Sequence, residues 1–115
     1  MTLKRRYKRR YIAVLCRLSP TELIARAREK SVEMFGHVTT QKAFLKVIEK
    51  IGPDLHVIRC RSEYLGEILC AITLIDHENP MVVLDISGTI RSLRSRMISK
   101  KGALRNILKD DNRLT

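Results

Sequence analysis

Three kinds of side chain in this sequence could do chemistry. They are carboxylates able to hold a metal, histidines and cysteines able to act as bases or nucleophiles, and cations with small hydroxyls able to hold phosphate. Metal-dependent hydrolysis needs carboxylates clustered around a divalent ion. Asp85 is a candidate ligand, but Asp54, Asp76, Glu49 and Glu63 show no motif spacing, and Glu22, Glu29 and Glu33 read as helix surface or cap. His37, His56 and His77 are scattered; His56 reads as a sheet residue and the other two as loop residues. Cys16, Cys60 and Cys70 are odd in number and far apart, with no CxxC or Cys/His zinc spacing. Each falls at an apolar position, so buried thiols in a reducing compartment are expected. The chain is therefore expected to hold no catalytic residue, no metal ligand and no cofactor.

The phosphate-holding class is richer. In Asp85-Ile86-Ser87-Gly88-Thr89-Ile90-Arg91 an apolar strand runs through two hydroxyls and a glycine into a basic helix. Backbone N–H groups at a helix start suit a phosphate oxygen. The formal charge of the 115 residues is +11, with a pI of about 10.1. Residues 1–10 carry six cations and no acid, a net of +6. Residues 91–115 also net +6, and residues 11–90 net −1. A neutral middle with two cationic ends is the footprint of a polyanion binder. The candidate RNA contacts are Arg5, Arg6, Arg9 and Arg10 in the arm, Arg59 and Arg61 on one strand face, and Ser87, Gly88, Thr89, Arg91 and Arg94 at the junction. About six to eight such contacts imply a salt slope near −0.7 per phosphate on single strands. Aromatic residues are only 4%. Phe44 has no paired ring on the return strand, so base-by-base reading on a sheet is not expected and recognition of shape and phosphate is. A small-molecule sensor is disfavoured, because no glycine-rich ligand loop exists beyond Ser87-Gly88.

The elements that must position these residues follow from periodicity. Tyr11 to Leu18 alternates as a strand with both faces apolar, hence central. Ser19-Pro20-Thr21-Glu22 is a capping-box helix start, and Gly36 its stop. Gln41 to Lys50 and Leu55 to Arg61 read as a hairpin around Gly52-Pro53-Asp54. Ser62 is expected to cap a second helix carrying Tyr64, Leu65, Ile68, Leu69, Ile72 and Ile75 on one face. Met81 to Ile86 is the fourth strand, and Ile90, Leu93 and Met97 mark a third helix. A last short helix follows Gly102. The order is β-α-β-β-α-β plus a helix: an α+β, ferredoxin-like sandwich with a four-stranded antiparallel sheet and an extra C-terminal helix. Residues 1–10 form a basic arm, 11–99 the RNA-binding domain, and 100–115 a basic helix or tail. No apolar run of 18 residues exists, so no transmembrane helix is expected and a cytoplasmic location is.

Three stretches in this order resemble one family: Arg10-Tyr11-Ile12-Ala13, Ile58-Arg59-Cys60-Arg61-Ser62-Glu63-Tyr64, and Ser87-Gly88-Thr89-Ile90-Arg91-Ser92-Leu93-Arg94. The chain resembles ribonuclease P protein component 2, the small basic subunit of the archaeal-type enzyme and its eukaryotic relatives, over about residues 7–100. The resemblance implies a subunit of the ribonucleoprotein endonuclease that removes the 5′ leader of precursor tRNA. There the large RNA carries the active centre and uses Mg²⁺, and the protein stabilises the RNA. It also implies ribonuclease P RNA and ribonuclease P protein component 3 as partners, with two copies of each protein in a two-plus-two assembly. A ribosome-associated factor is the alternative.

Overall fold

A computed structural model describes residues 8–75 and 81–98. The first strand, β1, spans Arg9–Leu15, so the chain is already paired where the cationic arm was expected. Ser19 then caps helix α1, Pro20–Ala43, its Oγ accepting from the Glu22 N–H at 3.2 Å. Pro20 sits where the missing N–H has no consequence. Gly36, at φ 89°, breaks the helical path without ending the segment. A shorter helical stretch continues to Ala43. Thr40 Oγ1 donates to the Gly36 carbonyl at 2.9 Å and lies 2.7 Å from the buried Ser31 Oγ. These two hydroxyls brace the bend.

Residues 41–45 correct the expected hairpin. Strand β2 is Lys46–Ile51, not Gln41 onward. Thr40 and Ala43 are buried at helical spacing, so core contact outweighs the short alternation through Ala43, Leu45 and Val47. The reversal falls on Phe44, in the left-handed region at φ 49°. Gly52, at φ 77°, makes the next turn, and β3 covers Leu55–Arg61.

Ser62 does not cap the second helix. It opens a 3-10 turn, Ser62–Tyr64, that has no side-chain cap. Its backbone N–H instead extends the sheet, donating to the Lys8 carbonyl at 2.8 Å. Helix α2 follows over Leu65–Thr73, then β4 over Val82–Ser87, and α3 spans residues 90–98. The arm before Lys8, the loop at Asp76 to Pro80 and the last short helix lie outside the described residues.

The sheet order is β2-β3-β1-β4, with every pair antiparallel. The two central strands bury both faces. One face carries Ile12, Val14, Ile58 and Cys60 against Leu23, Ala27, Ile68 and Ile72 of α1 and α2. The other carries Ala13, Leu55 and Val57 against Leu93 and Met97 of α3. The fold is thus the ferredoxin-like sandwich with its open sheet face closed by the C-terminal helix.

Candidate nucleic-acid interface

Register gathers the cations. On β1 and β3, Arg9 opposes Arg61 and Tyr11 opposes Arg59. Arg59 also opposes Lys46 of β2, and Tyr11 opposes Ser87 of β4. Directly opposed residues share a face of the sheet. Arg9, Arg59, Arg61, Lys46 and Ser87 therefore lie on the α3 side, at the end beyond Leu93 and Met97. Like charges opposed across strands repel, and an anion relieves that repulsion. No carboxylate pairs with Arg9, Arg59 or Lys46 among the described residues.

The strand-to-helix junction sits at the same end. Ser87 Oγ accepts from the Thr89 N–H at 3.3 Å. Thr89 Oγ1 accepts from the Ser92 N–H at 3.3 Å, so Thr89 is the N-cap of α3. Gly88 leaves room for Arg10: a Cβ there would stand 3.3 Å from Arg10 Nη1. Arg10 Nη1 itself donates to the Arg9 carbonyl at 3.1 Å. Arg91 is exposed in the first turn of α3.

The next two arginines are held by carboxylates of the sheet. Arg94 Nε meets Glu49 Oε2 of β2 at 2.6 Å, and Arg96 Nε meets Asp85 Oδ2 of β4 at 3.0 Å. Because β2 and β4 are the two edge strands, α3 is tied to both edges of the sheet. Asp85 Oδ1 also accepts from the Ile86 N–H at 2.8 Å, which gives that carboxylate a structural role. Arg5 and Arg6 lie outside the described residues.

Two features escaped the sequence reading. The Arg61 guanidinium lies 4.1 Å from the centroid of the Phe44 ring. Beside it is a cleft of about 570 Å³, lined by Arg28, His37, Phe44, Lys46 and Arg59 among others. Finding that pair in sequence requires knowing that β2 starts at Lys46, which places residue 44 opposite residue 61.

The remaining titratable groups are inert or plain. Burial pushes the Cys60 thiol up to about 11, with Arg10 pulling weakly the other way. Burial raises Cys16 as well. Cys70 is exposed, contrary to expectation, because it falls on the outer face of α2. His37 is exposed on the helical stretch after Gly36, not in a loop, while His77 lies outside the described residues. Among the described residues no group of three or more His, Cys, Asp or Glu could hold a metal ion.

The Rpp14/Pop5 family model matches residues 7–98, most of the chain. The chain belongs to the Rpp14/Pop5 family. Members of this family are protein subunits of ribonuclease P and ribonuclease MRP, and this chain is such a subunit. No curated protein matches it in sequence. Among solved structures, a chain in the cryo-EM structure of yeast ribonuclease MRP is similar at a TM-score of 0.53 and 9% identity. That match covers 90% of this chain and 98% of the other; at such low identity it speaks to the fold alone. The Rpp14/Pop5 match spans β1 through α3, so it takes in every described element of the cationic end. No described helix is long and apolar enough to cross a membrane.

Proposed function

We propose that this Rpp14/Pop5 chain is ribonuclease P protein component 2, a non-catalytic subunit that stabilises the catalytic RNA for removal of the 5′ leader from precursor tRNA. The carrying observation is the register that puts Arg9, Arg59, Arg61 and Lys46 on one face beside the Ser87–Thr89 turn. That end neutralises closely packed RNA phosphates, with Arg10 and Arg91 at its margin, and Arg5 and Arg6 serve as further phosphate contacts. Arg94 contributes from the flank of α3, in competition with Glu49. Mg²⁺ is held by the RNA, which carries the chemistry. Ribonuclease P protein component 3 is the protein partner, in a cytoplasmic two-plus-two assembly.

The test is a reconstituted holoenzyme carrying Arg9→Ala with Arg59→Ala. Precursor-tRNA cleavage should drop most at low Mg²⁺ and recover as Mg²⁺ rises, because added cations replace the lost charge. Equal activity across the titration would overturn the phosphate role. Cleavage by the purified chain without RNA would overturn the non-catalytic one.

A further inference from the structure

Phe44 is the anomaly of the cationic end. It is 60% exposed between Ala43 and Leu45, which are 0% and 3% exposed. Its φ of 49° is one that non-glycine residues seldom adopt. The two buried neighbours anchor the backbone, so the side chain is directed outward. Arg61 covers one face of the ring at 4.1 Å from its centroid, within cation–π range, which leaves the other face for a stacking partner. This is a preformed flat platform, and a preformed platform loses little entropy on binding.

The cleft beside it is of ligand size, about 570 Å³. Among the described residues no carboxylate lines it, and three cations do: Arg28, Lys46 and Arg59. Arg28 is fixed there by donating to the Leu45 carbonyl at 3.0 Å. Thr40, also on the lining, has its hydroxyl engaged with Ser31 and the Gly36 carbonyl. The cleft therefore offers a π surface and positive charge, with the polar side chains of His37 and Gln41 also on its lining. That chemistry fits a base stacked on the ring with its phosphate on the cations. A paired base in an A-form helix has both faces stacked, so only an unpaired one can use the platform.

We infer that the Phe44 cleft seats one unpaired nucleotide of an RNA strand, its base on Phe44 and its phosphate on Arg59 and Lys46. The inference rests on the RNA-facing reading above and narrows it from phosphate contact to a stacking subsite. An acidic peptide would use the cations but has no flat group for the ring.

The experiment titrates the full chain into a single-stranded RNA oligonucleotide containing 2-aminopurine, and into the same sequence as a duplex. Wild type should quench the 2-aminopurine fluorescence of the single strand. Phe44→Leu should lose the quench and weaken single-strand binding about 5- to 150-fold, the range of one base–aromatic stack. Its duplex affinity and salt slope should stay at wild-type values, and Phe44→Tyr should restore the quench. A Phe44→Leu variant that melts like wild type yet binds the single strand equally well overturns the subsite. So does an unquenched wild-type complex, or displacement of the oligonucleotide by polyglutamate at equal charge concentration. Those results leave the phosphate-binding reading standing. Failure of the wild-type chain to bind either RNA at low salt would remove both.

Discussion

At the scale of single residues the least expected group is His56. It is fully buried, and neither ring nitrogen has a hydrogen-bond partner among the described residues. Burial, reinforced by Lys50 directly opposite, holds its pKa below the usual value. The backbone of Cys16 and Leu18 and the charge of Asp54 pull the other way without offsetting this. The folded ring therefore resists a proton that the unfolded chain accepts near a pH of about 6.5. Below that pH the unfolded state binds more protons, so stability is complete above it and falls as pH drops. His56→Leu should flatten the difference in urea-unfolding free energy between pH 7.5 and pH 5.5. It should also leave the protein no less stable at pH 7.5, since a buried unpaired polar group costs about 1–3 kcal/mol. A variant as pH-sensitive as wild type would assign the effect to other groups. The sequence placed His56 correctly on the face of Ile58 and Cys60, but its full burial depends on long-range packing that strand alternation does not reveal. The same limit explains Cys70, whose apolar type concealed an outer helix position.

At the scale of elements, regular alternation and capping were readable and the irregular joins were not. β3 and the Ser19 cap came directly from residue pattern. Gly36 was readable as a break, but the helix beyond it was not, because residues 41–50 satisfy strand alternation while residues 37–43 satisfy helix contact. The bend is what resolves that conflict, and it also shapes the wall of the Phe44 cleft. Its strength is testable. Thr40→Val keeps the side-chain shape but strips the Ser31 hydroxyl and the Gly36 carbonyl of their shared partner. The loss should be about 1–3 kcal/mol in chemical denaturation, the cost of leaving buried polar groups unpaired. Gly36→Ala meets no atom within 4 Å. It should nonetheless destabilise by about 1–3 kcal/mol, because φ 89° with ψ 169° is a backbone region open essentially to glycine alone. If Gly36→Ala were neutral, the bend would not depend on that backbone angle.

For the molecule as a whole, the question is whether the two cationic sequence ends make one electrostatic surface. Composition showed the excess charge but not its arrangement. The fold brings the start of β1 and the start of α3 to one end of the sheet, through the Tyr11–Ser87 and Tyr11–Arg59 pairings. It also sorts the arginines. Arg9 and Arg91 are exposed and have no carboxylate partner among the described residues. Arg96 is held by Asp85 and the Ile86 carbonyl. Counterion release depends on how many cations reach phosphate, whereas folding depends on which cations reach protein. Arg9→Gln with Arg91→Gln should therefore lower the slope of log affinity against log salt by roughly 1.4 on single-stranded RNA, two contacts at about 0.7 each. Its melting temperature should hardly move. Arg96→Gln should do the reverse, leaving the slope alone and costing at most about 1 kcal/mol of stability, because its ion pair is partly exposed. Binding titrations from low to moderate salt, paired with thermal melts, separate the two. A slope that falls equally for both variants would mean that every arginine serves the surface and that α3 is not clamped by its edge pairs. A slope unchanged by losing Arg9 and Arg91 would mean that the two ends do not act on RNA together, and the shared cationic face would be wrong.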